Sequence, residues 1–242
     1  MTTDVVIVGA GGMGREVYGV IRLLNTISDN APPWRVLGFV DDYPTELHVE
    51  SVHRLGVAFL GPTRWLAAQP VSTHVALGVG HPRLRRETDQ AIAEYGLPAA
   101  TVLHPAAEIG PDCVYQQGLF AAGGARVTTN VLLGRHVHLN QNCTVGHDTV
   151  LGDYVSVNPL AAVSGYCRLG DGVLVGTTAA ILPKLTVGRD ATVGAGACVT
   201  RDVAPEVVVT GVPARPMDRS PANARPVVMA AHGRQDEVDH PA

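Results

Sequence analysis

Residues 109–204 decide the fold; cut at every sixth position they read IGPDCV, YQQGLF, AAGGAR, VTTNVL, LGRHVH, LNQNCT, VGHDTV, LGDYVS, VNPLAA, VSGYCR, LGDGVL, VGTTAA, ILPKLT, VGRDAT, VGAGAC and VTRDVA. Val, Leu or Ile opens every hexad except those that start at Tyr115 and Ala121. This period is typical of a parallel β-helix, because each short strand can bury its apolar residue only by stacking on the coils above and below it. Three hexads make one triangular coil, so we expect residues about eighteen positions apart to lie over one another.

The composition argues against several other classes of protein. The formal net charge is −4 and the Lys and Arg residues are scattered, so no basic stripe is available for nucleic acid. No apolar run approaches the roughly 18 residues that a membrane helix needs. The start, MTTDVVIVGAGG, lacks the basic n-region of a signal peptide. We therefore predict a cytoplasmic protein with no nucleic-acid or membrane partner.

A separate domain is predicted ahead of the repeat, which occupies under half of the 242 residues. An apolar run at residues 5–8 leads into the glycine-rich segment 9–14 and then into a helical pattern. Glycines allow a ligand to approach the backbone, and the N–H groups at the start of the following helix suit a phosphate. A second strand, residues 36–40, ends in Asp41 and Asp42, which are placed to accept hydrogen bonds from a ribose or a base.

The rest of this domain is predicted to be a small α/β unit, with strands at 57–60 and 74–79 and helices near 64–68 and 82–95. Its sheet is too short for a full dinucleotide fold, which favours a mononucleotide-like ligand over NAD. Gly78 and Gly80 either line the same sheet edge or form an ordinary tight turn. Residues 101–108, which contain His104-Pro105, are interpreted as a linker because proline favours an extended backbone before it.

His147 and Asp148 are the candidate catalytic pair. They occupy the third and fourth positions of VGHDTV, which form a turn and point away from the apolar interior. An imidazole beside a carboxylate on a rigid turn is the arrangement that a general base needs, since the carboxylate holds the tautomer and favours the imidazolium. The alternative interpretation is a solvated surface pair.

Histidines and cysteines also raise the possibility of a metal or of disulfides. Together with His147, His136 and His138 would supply the three imidazoles of a zinc site, but they occupy the fourth and sixth positions of one hexad and face different directions. We therefore predict no metal. Three cysteines, Cys113, Cys143 and Cys167, take the small-residue fifth position, and we expect buried thiols there.

Several motifs together resemble a known family. They are GAGGMGREV from Gly9, GFVDD from Gly38, HPAAEIG from His104, NQNCTVGHD, VSG from Val163 and VTGVPARPM, which ends at Met217. From Val5 to about Met217 the chain resembles the sugar O- and N-acyltransferases of the sialic acid O-acetyltransferase and bacillosamine-pathway N-acetyltransferase type. The resemblance implies a left-handed β-helix, a homotrimer, acetyl-CoA bound between neighbouring coils, and a nucleotide-linked amino sugar held by the N-terminal domain.

The same resemblance assigns roles to individual residues. His147 matches the catalytic base and Asp148 its supporting acid. The predicted substrate-binding residues are Gly11, Gly12, Met13, Asp41, Asp42, Gly78 and Asn140, and those predicted to line the CoA groove are Ser156, Asn158, Gly165, Thr177 and Ala195. Two positions depart from the family: Met13 replaces the histidine of the usual GGHG or SGHG loop, and Ser156 stands where some relatives carry a second histidine. Both departures concern the identity of the acceptor more than the reaction.

The sequence thus predicts a Rossmann-like α/β domain at 1–102, a left-handed parallel β-helix at 103–218 and a disordered tail at 219–242. The predicted reaction is acetyl transfer from acetyl-CoA to the amine of a nucleotide-linked amino sugar, without a metal. An O-acetyltransferase acting on sialic acid or another sugar, and an N-acyltransferase of secondary metabolism, are the alternatives.

Two less favoured functions are an NAD oxidoreductase and a zinc-dependent hydratase. Gly9, Gly11 and Gly14 satisfy GxGxxG, but Asp41 follows them at a longer spacing than the roughly 20 residues usual for NAD. The sequence does not distinguish the acceptor sugar, its nucleotide, N- from O-acylation, the acyl chain length or the pathway.

Overall fold

The computed structural model describes residues 2–29 and 31–217, which form an α/β domain followed by a β-helix. The segment predicted to be a disordered tail, residues 219–242, lies outside the described residues. Among the helices of the described ranges, none is long and apolar enough to cross a membrane.

The first domain is a four-stranded parallel sheet with helices. Its strands are β1 (Thr3–Val8), β2 (Trp34–Val40), β3 (Phe59–Gly61) and β4 (His74–Leu77); its helices are α1 (Gly12–Ile27), α2 (Glu46–Arg54) and α3 (Pro82–Ile92), with short 3-10 helices at Thr63–Ala68 and Ala93–Tyr95. The strands lie in the order β3-β2-β1-β4, so the strand order reverses at β1. Ligands of such sheets bind at this reversal, beyond the carboxyl ends of β1 and β4.

Helix α2 is the one helix of this domain that the sequence analysis does not predict. Its clearest signal is Thr45, the N-cap, whose hydroxyl accepts a hydrogen bond from the backbone N–H of His48. Within the helix only Ser51 and Val52 are buried, so the sequence carries no strong apolar period. The helix brings His48 to a cavity at the carboxyl ends of the strands.

The second domain is a left-handed parallel β-helix, as predicted. Its strands have two residues each, except Val208–Thr210, and the last strand, Arg215–Pro216, runs antiparallel. The face that we call the domain face contains β5 (Val102–Leu103), β8 (Phe120–Ala121), β11 (His138–Leu139), β14 (Ser156–Val157), β17 (Leu174–Val175), β20 (Thr192–Val193), β22 (Val208–Thr210) and β23 (Arg215–Pro216). The second face contains β6 (Glu108–Ile109), β9 (Arg126–Val127), β12 (Thr144–Val145), β15 (Ala162–Val163), β18 (Ala180–Ile181) and β21 (Cys198–Val199). The third face contains β7 (Val114–Tyr115), β10 (Leu132–Leu133), β13 (Val150–Leu151), β16 (Arg168–Leu169) and β19 (Thr186–Val187).

Strands of one face pair in the predicted eighteen-residue register, for example Leu133 with Leu151 and Val145 with Val163. The second residue of most strands, which opens a hexad, points into the core, whereas Tyr115 of β7 is exposed. The segment interpreted as a linker departs from the prediction. It contains β5, which pairs with β8 in the same register, so the coil begins one hexad before Ile109.

Fifteen of the sixteen hexads adopt a left-handed backbone at their fourth position, where the coil turns a corner. Asp148, for example, has a φ of 58°. Glycine, Asn and Asp tolerate this conformation best, which explains why they recur at this position. The same conformation is adopted by Asp112, Asn130, His136, Asn142, Tyr154, Leu160, Tyr166, Thr178, Lys184 and Asp190, and by Gly118, Gly124, Gly172 and Gly196.

All four cysteines are free thiols. Cys143 and Cys167 are fully buried, as predicted, whereas Cys113 is only partly buried because it precedes β7, the edge strand of the third face. Burial raises the pKa of the Cys143 thiol to about 12, so this thiol stays protonated at neutral pH.

The α/β domain packs on the outer side of the domain face. Val102 and Phe120, whose side chains point out of the coil, belong to one buried cluster with Ile7 and Val17 of the first domain. Burial of these four side chains excludes water from the junction.

The carboxylate of Asp89 forms polar contacts across the junction between the domains. Asp89 of α3 accepts hydrogen bonds from Arg135 Nε and Nη2 at 2.8 Å and from the Tyr154 hydroxyl at 2.7 Å, and its Oδ1 lies 3.0 Å from His136 Nε2. Burial alone would raise the pKa of Asp89, but the hydrogen bonds from Arg135, His136 and Tyr154 outweigh burial and hold the pKa well below its usual range. The folded state therefore keeps Asp89 ionised.

The substitution Asp89→Asn tests this junction. We expect the free energy of unfolding at pH 7 to fall by about 2 kcal/mol, because the partly exposed Arg135 loses its counter-charge and the buried His136 and Tyr154 lose a hydrogen-bond partner. The folded-state pKa lies below the unfolded value of about 3.9, so the unfolded chain takes up the proton first. The contribution of Asp89 is therefore complete at pH 7 and declines as the pH falls below about 5.

Urea unfolding of wild type and variant at pH 7 and pH 3 measures this effect, with Glu94→Gln, at an exposed carboxyl just beyond α3, as the control. The difference between wild type and Asp89→Asn should shrink by about 1 kcal/mol at pH 3. An equal difference at both pH values would contradict an ion pair at this position.

Candidate functional site

His147 and Asp148 form a hydrogen-bonded pair at the corner between the second and third faces. Their atoms Nδ1 and Oδ2 lie 2.7 Å apart, and the His147 side chain is 52% exposed. Asn130, on the neighbouring coil, donates from Nδ2 to Asp148 Oδ1 at 2.6 Å. The hydrogen bonds with His147 and Asn130 lower the pKa of Asp148. With Nδ1 donating to Asp148, the imidazole presents Nε2 as a free acceptor.

Two residues of the next coil shape the surroundings of this imidazole. Tyr166 packs against it edge to face, with ring centroids 5.1 Å apart. Gly165 lies beneath Nε2, and a Cβ at this position would come within 2.7 Å of His147 Cε1 and Nε2. Glycine thus leaves the space that the ring occupies.

A second candidate site is a cavity of about 720 Å³ at the carboxyl ends of β1, β2 and β4. Six of the predicted substrate-binding residues line this cavity, namely Gly11, Gly12, Met13, Asp41, Asp42 and Gly78. The cavity is also lined by residues that the sequence did not reveal, including Tyr43, His48, Thr63, Glu87 and Thr88. They lie on α2, on α3 and in loops, and only the fold brings them to one crevice.

The glycines at the cavity differ in what the absence of a side chain allows. A Cβ on Gly14 would overlap the carbonyl oxygen of Gly9, and a Cβ on Gly78 would overlap Gly14 Cα, so these three positions allow α1 to pack closely on the sheet. Gly12, by contrast, has open space around its Cβ position. Helix α1 begins there with no side-chain cap and no acidic residue in its first turn, so its N–H groups face the cavity as donors for an anion.

Asp41 and Asp42 hold the loops of the cavity. Asp41 accepts hydrogen bonds from the backbone N–H of Ala10 at 2.8 Å and of Tyr43 at 2.9 Å. Asp42 accepts from the backbone N–H and the hydroxyl of Thr63. Both carboxylates line the cavity, but their oxygen atoms already have protein donors, which gives them a loop-fixing role that the sequence analysis did not foresee.

The residues predicted for the CoA groove are separated. Asn158, Thr177 and Ala195 lie at the corner between the domain face and the second face, whereas Gly165 lies beside His147. Ser156 is 1% exposed beneath the α/β domain, where its hydroxyl accepts a hydrogen bond from Arg85 Nη2 at 2.9 Å.

Asn140 lies on the coil and outside the cavity. Its amide donates to Asn158 Oδ1 at 3.1 Å, so this predicted substrate contact is instead paired with a predicted groove residue.

The cavity and His147 are on opposite sides of one chain. The α/β domain covers the domain face, and His147 is at the corner formed by the other two faces. One chain therefore does not bring His147 and the cavity together.

The histidines considered for zinc do not converge either. His136 and His138 are buried under the α/β domain, away from the corner that carries His147. Within residues 2–29 and 31–217, no group of three His, Cys, Asp or Glu side chains is placed to hold a metal ion.

Residues 4–91 match the family described as PglD N-terminal domain. Several solved structures are similar over both domains. PerB from Caulobacter crescentus, a perosamine N-acetyltransferase in complex with CoA and GDP-perosamine, is 26% identical, with a TM-score of 0.78 over 89% of this chain and 97% of that chain.

The acetyltransferase domain of PglB from Neisseria gonorrhoeae, in complex with acetyl coenzyme A, is 28% identical, with a TM-score of 0.78 over 90% of this chain and 100% of that chain. WeeI from Acinetobacter baumannii is 25% identical, with a TM-score of 0.75 over 89% of this chain and 100% of that chain. No curated protein sequence matches the chain.

The substitution Gly165→Ala tests the space beneath His147. The backbone of Gly165 is not in the left-handed region, so alanine fits there without backbone strain. We expect its methyl group to displace the imidazole and break the 2.7 Å contact with Asp148. A crystal structure or the ¹⁵N shifts of the ring measures this, with Gly19→Ala on α1, where a Cβ meets no atom within 4 Å, as the control. An unmoved ring would contradict this packing.

Proposed function

We propose that this chain, an acetyltransferase of the left-handed β-helix sugar acyltransferase family, transfers an acetyl group from acetyl-CoA to the amine of a nucleotide-linked amino sugar. The observation that carries the proposal is the imidazole of His147, oriented by Asp148, in a chain that resembles PerB over both domains. PerB is in complex with CoA and GDP-perosamine.

His147 acts as general base in this proposal. Its Nε2 takes a proton from the acceptor amine while the amine nitrogen attacks the thioester carbonyl, and Asp148 stabilises the imidazolium. The tetrahedral intermediate then breaks its carbon–sulfur bond, and the CoA thiolate takes the proton from the imidazolium. A positioned base contributes on the order of 10² to 10⁴ in rate, and one backbone donor to the oxyanion about 3 to 4 kcal/mol.

Direct transfer needs no acyl-enzyme, because a thioester is already activated. The cysteines support this step. Cys143 and Cys167 point into the coil, and burial raises the pKa of both thiols, so neither is available as a nucleophile.

The cavity of the α/β domain holds the acceptor. The phosphates of a nucleotide sugar fit the open N-terminus of α1 at Gly12 and Met13, where backbone N–H groups and the helix dipole both favour negative charge. The described residues that line this cavity include no Lys or Arg, so an anion there depends on these N–H groups and on neutral side-chain donors such as Thr88.

We further propose a homotrimer, because the site is incomplete in one chain. A neighbouring subunit would bring its cavity to the corner that carries His147. The third face supports such an assembly: Val114 and Leu132 point outward from it and are 57% and 47% exposed. Apolar side chains of this kind are stabilised when a symmetric neighbour covers them.

The same arrangement of His147 and Asp148 also suits proton removal from a hydroxyl group. Experiment therefore decides between N-acetylation of the amino sugar, O-acetylation and acylation of other amines. An NAD oxidoreductase is not favoured, since the Asp41 carboxylate is occupied by the backbone N–H groups of Ala10 and Tyr43. A zinc-dependent hydratase is not favoured either, because His136 and His138 are at the domain junction. We place the reaction in the cytoplasm, in keeping with four free cysteines.

Release of free thiol from acetyl-CoA tests the proposal. The acceptors are UDP-, GDP- and dTDP-linked 3-amino and 4-amino sugars, with sialic acid and simple amines for the alternatives. We expect turnover with one amino sugar, and His147→Ala should lower turnover by at least several hundredfold because the base is gone. Asp148→Asn should cost less, because the imidazole remains.

His53→Ala, which removes an exposed imidazole at the end of α2, is the control and should keep wild-type turnover. Near-normal turnover of His147→Ala would remove His147 from the mechanism. Turnover with sialic acid alone would replace N-acetylation by O-acetylation.

A further inference from the structure

Arg85 of α3 is a buried cation at the junction of the two domains. It is 0% exposed, and its hydrogen-bond partners include no carboxylate. Burial lowers the pKa of Arg85 to about 9, so the guanidinium still carries its charge at neutral pH. A buried charge without a counter-charge costs free energy unless every N–H group is satisfied.

The guanidinium donates in two directions. Nη1 donates to the carbonyl oxygens of Val79 at 2.8 Å and Gly80 at 2.9 Å, in the segment that follows β4. Nε donates to the carbonyl oxygen of His136 at 3.0 Å, and Nη2 donates to that of Tyr154 at 2.8 Å. Arg85 thus links the end of β4 to two neighbouring corners of the coil.

The linked segment is a wall of the acceptor cavity. Gly78, Val79 and Gly80 line the cavity, and two of these three residues have no side chain with which to anchor the wall. From behind, the wall is held by Arg85 and by Ser156 of the domain face. The Ser156 hydroxyl accepts from Arg85 Nη2 at 2.9 Å and lies 3.4 Å from the carbonyl oxygen of Gly80.

An apolar side chain would fill the same volume but would not hold the wall. The carbonyl oxygens of Val79, His136 and Tyr154 would each lose a buried donor, and that of Gly80 would keep only the longer contact with the Ser156 hydroxyl. This position therefore requires hydrogen-bond donors that are held in a fixed arrangement. A planar guanidinium supplies five N–H groups in a rigid arrangement, which no other side chain does.

We propose that Arg85 is a positioning residue that fixes the wall Gly78–Gly80 of the cavity on the β-helix. The acceptor cavity then keeps one position relative to the coils that carry the catalytic base of the assembly. The catalytic consequence rests on the proposed function. The structural part of the proposal, that the coil holds the wall in place, does not depend on the proposed function.

Arg85→Met removes the donors and keeps an unbranched chain. Arg86→Met is the matched control, because Arg86 is the next residue, joins α3 to the coil through an ion pair with Asp190 at 2.9 Å, and does not bond to the wall. Ser156→Ala is a second variant, which removes one hydroxyl and keeps the guanidinium.

Hydrogen–deuterium exchange of the wall needs no ligand. We expect peptides that cover residues 75–84 to exchange at least about tenfold faster in Arg85→Met than in wild type, and less so in Ser156→Ala, while coil peptides keep their protection. Arg86→Met should leave the wall unchanged. Unchanged exchange of residues 75–84 in both Arg85→Met and Ser156→Ala would overturn the proposal.

Steady-state kinetics adds a quantity, the KM for each substrate, that loss of folded protein alone does not change. In Arg85→Met the KM for the acceptor should rise about tenfold or more, because the displaced wall no longer fits the acceptor and shifts of about 1 Å already have large kinetic effects. The KM for acetyl-CoA should stay within about twofold. Loss of folded enzyme lowers kcat and leaves both KM values unchanged.

Arg85→Lys should recover part of the acceptor KM through its remaining donors. Ser156→Ala separates two roles for Ser156, because a rise in the KM for acetyl-CoA, instead of that for the acceptor, would return Ser156 to the CoA groove and contradict its role in the wall. A wild type inactive on every acceptor would refute the proposed function, and the exchange result would still decide the role of Arg85.

Discussion

An aliphatic side chain that opens a hexad can leave water only by resting on the equivalent side chains of the coils before and after it. Stacks such as Leu133 on Leu151 therefore fix the register of every coil, and the register fixes which positions form corners. The outward third and fourth positions, among them His147 and Asp148, inherit this rigidity. The coil core thus holds the imidazole where its carboxylate partner reaches it at 2.7 Å.

The sequence was sufficient to predict the features that depend on local repetition. The six-residue period predicted the coil and its eighteen-residue register, and the glycines near residue 9 predicted the strand, turn and helix beside the cavity. The pairing of His147 with Asp148 also followed from their places in one hexad. Each prediction uses contacts within the repeat or between neighbours in the chain, which a single sequence displays.

The features that were missed depend on contacts between distant segments. Arg85 bonds to residues 51 and 69 positions away, and nothing near it in the sequence marks it as buried. Ser156 was assigned to the CoA groove from the family resemblance alone, and its burial under the α/β domain follows from packing that no stretch near it in the sequence displays. Asp41 was expected to bind ligand, whereas the loop that follows β1 already donates to it. Only the fold shows that these polar groups are occupied.

The same fold places His147 and the cavity that we propose for the acceptor on opposite sides of one chain, and we therefore propose that a functional site combines two subunits. Mixed assemblies of two inactive variants test this claim most directly. Subunits with His147→Ala keep the cavity and lack the base. Subunits with Gly12→Phe keep the base, and the phenyl ring fills the cavity. A Cβ at position 12 meets no atom within 4 Å, so the backbone accepts this substitution. If sites form between subunits, an equal mixture recovers roughly a quarter of wild-type activity, because that share of the sites combines two intact halves. No recovery, with mixed assemblies verified by two affinity tags, would show that one chain contains the whole site and would contradict the account.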